Sequence, residues 1–399
     1  MSEQTQNIVK INPFIKNNEM ENIHISMPSI STLNQSKASI PTAIIYCEAN
    51  FGKIDGKTAN GLVRHSQNYR VLSVIDSQQA GLDSGVVLGD EANEIPIVSN
   101  LGEAVAIADE TPDYFIFGLA PSSGMLSESE RSLILEAMAL KMNIVNGLHE
   151  FLNDDPQLVE ASKANNVEIL DIRRPKNKKD LQAFSGKIHD TKCPRIAIMG
   201  TDCAIGKRTT ATMLTKTLQE HGLNVVMIAT GQTGIIQGAP YGVALDAVPS
   251  QFCAGELEAI IVKAYELEEP DLIIIEGQGA LSHPAFSTSA FILRGSCPTG
   301  VILQHAPNRL SRSDFPKMPM PSIASEIELI EMFADTPVIG LTLNHENMSS
   351  DEILFKIQEY SAEFSIPVTD ALSQPKEHLL HMVLSAFPHL NEKLMINKS

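Results

Sequence analysis

The sequence offers little with which to bind metal, cross a membrane or grip nucleic acid. Its five cysteines (Cys47, Cys193, Cys203, Cys253 and Cys297) are odd in number and widely spaced. No close pair suggests a metal knuckle or redox couple, so reduced and mostly buried thiols are expected. His305, His345, His378, His381 and His389 lack zinc-ligand spacing. No apolar run nears the ~18 residues of a membrane span, and no basic-plus-apolar leader is visible. Positive charge is scarce: the formal net charge is -18, which argues against nonspecific binding to nucleic acid or anionic membrane. A local nest of N–H groups can still hold a phosphorylated small molecule against that field. A cytoplasmic enzyme working on small molecules is expected, with association between copies left open.

What is present fits an α/β protein. With 399 residues, 43% of them hydrophobic and 20% charged, the chain is long enough for two or three domains with real cores. Residues 1–40 are polar and read as an extension. Residues 41–185 alternate short apolar strands with helices in a Rossmann-like manner, starting at Thr42–Cys47 and Arg70–Asp76. Asp76 suits a dinucleotide site, but Gly52 and Gly56 have the wrong spacing for that fingerprint, so the Gly52–Thr58 loop is read as shaping an interdomain cleft. Ser127 and Glu130 form a capping-box pattern. Residues 186–399 form the second domain, with apolar strands at Arg195–Gly200, Asn224–Ala229, Asp271–Glu276, Thr299–His305 and Pro337–Leu343. Such runs fit a mostly parallel sheet covered on both faces.

The chemistry centres on Gly200-Thr-Asp-Cys-Ala-Ile-Gly206-Lys207-Arg208-Thr209-Thr210. Strand, glycine-bounded turn, lysine and helix make a phosphate-cradling loop, with Lys207 as point charge and Gly200 and Gly206 permitting the turn. The usual loop has four residues between its glycines and a hydroxyl after the lysine. Here there are five, and Arg208 stands in the hydroxyl position. Arg208 cannot ligate Mg²⁺, which weakens an ordinary MgATP reading, although Thr209 and Thr210 remain candidates for phosphate or metal. Asp202 is placed to orient an amine or water, or to hold the turn. Glu276, ending its strand, is a candidate catalytic carboxylate, or a magnesium partner if MgATP is used. His283 is a candidate general base or a loop-holding residue. Gln232 and Thr233 are expected on a ligand-presenting loop. Arg294, Arg309 and Arg312 are candidate carboxylate or phosphate binders, and Asp246 and Glu256 candidate ammonium partners.

Together with Glu276–Pro284, Leu303–Arg309 and Leu343–Met348, this loop resembles the DgcN family over roughly residues 42–390. The loop spacing alone is also similar to that of dethiobiotin synthetase. The family resemblance implies a Rossmann-like N-terminal domain, a P-loop C-terminal domain and acetyl transfer from acetyl-CoA to the amine of D-glutamate. It further implies that Gly200–Thr210 grips the phosphates of CoA or a related nucleotide. On chemical grounds, Glu276 or His283 is expected to remove the amine proton and Arg309 or Arg294 to bind a substrate carboxylate. An ATP-dependent carboxylate–amine ligase, or another small-molecule P-loop enzyme, is the first alternative. A non-catalytic nucleotide-binding protein is the second.

Overall fold

The computed structural model describes residues 40–120 and 124–396. The expected N-terminal extension lies almost wholly outside them, as does part of the Leu119–Gly124 loop. The N-terminal sheet is built from β1 (Thr42–Tyr46), β2 (Arg70–Ile75), β3 (Ile97–Val98), β4 (Tyr114–Phe117), β5 (Asn143–Asn146) and β6 (Ile169–Asp171). Its order is β3-β2-β1-β4-β5-β6, with every pairing parallel. This is the doubly wound order, whose crevice opens where the strand sequence reverses, between β1 and β4. The connections carry α1 (Lys57–His65), α2 (Ser84–Val87), α3 (Leu101–Ala106), α4 (Glu128–Ala139) and α5 (Pro156–Asn165). Ser127 and Glu130 cap α4 reciprocally.

The dinucleotide site hinted at by Asp76 is filled by the protein itself. Its buried carboxylate accepts the N–H groups of Ala49 at 3.1 Å and Phe51 at 3.0 Å, and that of Gln78 at 3.0 Å. The loop between β1 and α1 thus occupies the carboxylate that a ribose would need.

The second sheet contains β7 (Arg195–Gly200), β8 (Val225–Ala229), β9 (Tyr241–Gly242), β10 (Leu272–Glu276) and β11 (Gly300–His305), with β14 (Val338–Leu343) and β15 (Val368–Asp370). Its order is β15-β14-β11-β7-β10-β8-β9, again all parallel. An antiparallel hairpin of β12 (Ser311–Arg312) and β13 (Phe315–Pro319) projects after β11. Around the sheet lie α6 (Lys207–Glu220), α7 (Gln232–Gln237), α8 (Ser250–Glu268), α9 (Thr288–Ser296), α10 (Ile323–Ala334), α11 (Ser350–Phe364), α12 (Glu377–Ala386) and α13 (His389–Ile396). β7, β8, β10 and β11 are buried at every position, as their unbroken apolar runs require when helices cover both faces.

Several expectations change. Gln232 and Thr233 do not lie on an open loop; they begin α7, capped by the extended Gly231. The stretch after Pro284, for which no element was expected, forms α9, which buries Ile292 and Leu293. Pro388 separates α12 from α13, because proline at that point removes a helical donor. No helix among the described residues is long and apolar enough to cross a membrane.

The two halves share packing. Ile236 of α7 belongs to the core formed by β1, β4 and β5 rather than to that of its own sheet. Gln237 donates to the carbonyl of Gly61 at 2.6 Å and its own carbonyl accepts from Gln67 N–H at 2.8 Å. Thr58 and Thr233 share a 2.8 Å hydrogen bond between hydroxyls. The connecting segment is sewn to α8: Glu256 accepts from Gln182 N–H at 2.6 Å, and Glu258 from Ser185 N–H at 2.6 Å. Those bonds, and an ion pair of Glu256 with Lys176, give Glu256 a structural role rather than that of an ammonium partner. At Gly255 of α8 a methyl group would fall 2.2 Å from the carbonyl oxygen of Gln182. Gly255→Ala is therefore expected to cost about 1–3 kcal/mol through overpacking, read as a lower urea midpoint without loss of secondary structure below it.

Candidate active site

The site grows from the carboxyl end of β7, where an open α/β sheet places its ligands. The chain leaves Gly200, turns through Thr201–Ile205 and enters α6 at Lys207. Gly206 has φ +103°, a left-handed conformation that a side chain would strain. The loop is braced from outside. Thr201 N–H donates to Gln304 O at 3.0 Å, and Asn344 Nδ2 donates to Ile205 O at 3.0 Å. Thr210 donates its hydroxyl to Gln304 Oε1 at 2.6 Å, where Thr342 also donates at 2.5 Å. Thr210 is thereby committed to the scaffold instead of to phosphate or metal. Gln304, a polar residue near the end of an apolar strand, was the sequence signal for this brace.

Asp202 is fully buried and holds the turn. Its Oδ2 accepts from Ser313 N–H at 2.8 Å and from Arg309 Nη1 at 3.1 Å. Arg309 continues to Cys203 O at 2.7 Å and to Glu346 Oε2 at 2.6 Å. It is a strut across the loop, with its charge already matched, and not a free carboxylate binder. Arg312 donates to Thr201 O at 3.3 Å and Ser282 Oγ at 2.9 Å. Arg294 lies exposed on α9, 5.0 Å above the Phe333 ring, and makes no described contact with the loop.

His283 is enclosed. Its ring stacks on Phe286 at 4.7 Å between centroids, and Nδ1 accepts from Ala285 N–H at 3.3 Å. Nε2 lies 3.8 Å from Asp202 Oδ1, and neither atom has a hydrogen-bond partner. Burial, with Arg312 nearby, lowers the pKa of the imidazole. Phe286 and Phe315 against the ring and Asp202 at Nε2 hold it in the wall behind the loop, which fits the loop-holding reading of His283. Asp202, Cys203 and His283 bring ligand-type atoms within 4.8 Å of one another. Arg309 and Arg312 on Asp202, however, already supply the positive charge a metal would bring.

Glu276 presents differently. It ends β10 against the start of α7, buried, with Oε2 accepting from Thr230 N–H at 3.1 Å. Burial raises its pKa, while Arg208, the Thr230 and Gly231 N–H groups and Lys207 oppose that rise. A carboxyl group with raised proton affinity beside a phosphate loop is suited to proton transfer.

Around it stands a cluster of desolvated cations. Lys207 is buried and donates to the Asp202 carbonyl at 2.5 Å, and burial pushes its pKa down to about 8. Arg208 reaches out of α6 to the carbonyl of Lys57 at 3.2 Å. Lys57, opening α1, has its pKa lowered by burial and then by Arg173 and Arg208. Arg173 is pushed down to about 10 by burial, even though it pairs with Asp246 and donates to Gly147 O at 2.6 Å. Gln232 packs against Gly147 across the same boundary. Lys207 and Arg173 are buried, Arg208 is half-buried and Lys57 exposed beside them, a gathering of like charge in a chain of net charge -18 that is suited to an anion. The sequence reading missed Lys57 and Arg173 here. A cavity of about 420 Å³ lies elsewhere, at the opposite strand ends between Pro194, Asp271 and His389. The loop is preferred because it lies at the carboxyl ends of the parallel strands, where open α/β sheets place their ligands.

Fold and cleft define a two-domain α/β protein in which a Rossmann-like half closes against a phosphate loop. Its residues 182–380 match the family described as a domain of unknown function, DUF1611, P-loop domain, and residues 77–175 match its Rossmann-like N-terminal domain. The chain belongs to this family. A protein of Pseudoalteromonas sp named D-glutamate N-acetyltransferase is 37% identical over 265 residues, covering 65% of this chain and 77% of the relative. A second protein of that name, from Tritonibacter scottomollicae, is 28% identical over 276 residues, covering 68% and 80%. The crystal structure of a DUF1611 family protein from Anabaena variabilis superposes with TM-score 0.79 at 31% identity, covering 86% of this chain and 99% of that one.

Two outcomes follow from the loop. The loop is expected to meet a phosphate-bearing anion with Lys207 protonated, and burial pushes the pKa of that lysine down to about 8 in the free protein. Affinity should hold at neutral pH and fall as pH rises through that value, with binding taking up a proton above it. Calorimetry in buffers of different ionisation enthalpy reads both effects, and Lys207→Ala should remove them with about 10- to 100-fold weaker binding. Asp202→Ala leaves Arg309 and Arg312 without their shared buried carboxylate and should destabilise the fold by about 3–5 kcal/mol, measured by urea denaturation.

Proposed function

We propose that this chain transfers an acetyl group from acetyl-CoA to the amine of D-glutamate. The observation that carries the reading is 37% identity, over most of its length, to a protein named D-glutamate N-acetyltransferase. The cleft supports it on chemical grounds. Lys207 and the N-terminus of α6 suit the phosphates of CoA. Thr210 is bonded to Gln304, and Thr209 is the one hydroxyl of Gly200–Thr210 without a hydrogen bond among the described residues. Arg208 carries no hydroxyl, so the position directly after Lys207 offers no metal ligand. A grip on phosphates that undergo no reaction has no need of one.

The acceptor enters as an ammonium and must lose a proton before attack. Glu276, with its raised proton affinity, takes that proton. The amine nitrogen then forms a C–N bond to the thioester carbonyl carbon while the C–S bond breaks. The sulfur leaves as a thiolate and is protonated to free CoA.

Purified protein given acetyl-CoA and D-glutamate without ATP should release free thiol and N-acetylglutamate in equal amounts. No product, or product formed only with ATP and accompanied by ADP, overturns the assignment in favour of a ligase. Glu276→Gln should lower kcat by about 10²–10⁴ while KM changes little. The base works deprotonated, so the rate should rise with pH along an acid limb displaced upward from the ordinary carboxylate range, and that limb should vanish in the variant.

A further inference from the structure

Gly206-Lys207 has an echo in the other domain. Gly56-Lys57-Thr58 also puts a lysine directly after a glycine at the first position of a helix, α1. The two helices meet there, because Arg208, the second residue of α6, donates to the carbonyl of Lys57 at 3.2 Å. The β1–α1 loop itself offers no phosphate cradle, since Asp76 occupies its Ala49 and Phe51 N–H groups. The lysine must therefore serve something outside its own loop.

Every other cation near the cleft has a task. Arg309 spans Asp202 and Glu346, and Arg312 holds Thr201 and Ser282. Arg173 is paired with Asp246, and Lys207 lies within the phosphate loop. Lys57 differs: its ammonium has no hydrogen bond or ion pair among the described residues. The residue is open to solvent, yet enough protein stands around it to lower its pKa, with Arg173 and Arg208 adding repulsion. An exposed ammonium where the two domains meet, repelled by Arg173 and Arg208 and attracted by Asp314 without an ion pair to it among the described residues, is placed to receive a counter-ion from a ligand.

We propose that Lys57 binds a carboxylate of the amino-acid acceptor, so that the Rossmann-like domain supplies the acceptor subsite and the P-loop domain the phosphate subsite. Arg208, bonded to the Lys57 backbone, sits beside this carboxylate and fixes the distance between the two subsites. The inference rests on the acetyl-transfer reading for its choice of ligand. A CoA phosphate offers the same anionic oxygen chemistry, and the test separates the two sources.

Calorimetry should be run with wild type, Lys57→Ala and Lys57→Arg, titrating CoA alone and then D-glutamate at saturating CoA. Thermal denaturation of each variant verifies folding, which an exposed side chain without partners should not disturb. Lys57→Ala is expected to weaken D-glutamate about 10- to 100-fold, with CoA affinity unchanged, and Lys57→Arg to recover most of the loss. Unchanged D-glutamate affinity in Lys57→Ala overturns the proposal, and if wild type still acetylates D-glutamate the functional reading survives alone. Loss of CoA affinity with D-glutamate binding intact overturns it in favour of a phosphate clamp. D-glutamate binding that depends on Lys57 in a protein that forms no N-acetylglutamate supports the subsite and sinks the acetyl-transfer reading.

Discussion

Positive charge crowded at the seam between the two domains is the constraint on which this architecture turns. Lys57, Arg173, Lys207 and Arg208 are drawn from both domains of a strongly acidic chain, and each is held below its ordinary proton affinity by burial. Such an arrangement costs free energy in the empty protein, so the surrounding structure must enforce it. The enforcing elements are visible. Gln304 gathers Thr201, Thr210 and Thr342, while Asp202 gathers Arg309, Arg312 and Ser313. These contacts make the loop rigid before any ligand arrives, so less ordering is required on binding.

The same constraint divides the polar residues into two kinds. Asp202, His283, Arg309 and Arg312 face one another in the wall behind the loop. Glu276, Lys207, Arg208 and Lys57 converge where the two domains meet. Residue chemistry alone does not separate a reacting carboxylate from a bracing one. Glu276 and Asp202 differ in their company: Asp202 is met by arginines and a backbone N–H, whereas Glu276 is met chiefly by low-dielectric surroundings and the N–H groups before α7.

Much of the fold could be read from the chain because parallel strands covered on both faces leave unbroken apolar runs. Leu-Ile-Ile-Ile in β10 admits little else. The phosphate loop was equally plain, since glycine, lysine and helix follow one another in sequence. α7 was not, because Gly231 and Gly234 flank a short polar start whose helix is favoured by Ile235 and Ile236 packing. The arginines were judged by type, and type is silent about partners: Glu346, 37 positions from Arg309, decides that side chain's role. Lys57 carried a signal in Gly56-Lys57-Thr58, but its meaning depends on a neighbour, Arg208, that lies 151 positions away.

Ile236 gives the domain boundary a further meaning. It extends from the second domain's α7 into the core of the first, so the covalent linker is not the true border between the halves. Each half is finished by material from the other. A gene rearrangement that paired this P-loop domain with a foreign Rossmann-like partner would leave an apolar plug without its socket and a socket without its plug. The two halves are therefore bound to change together over evolutionary time, and a substitution that resizes Ile236 must find its compensation in the first domain.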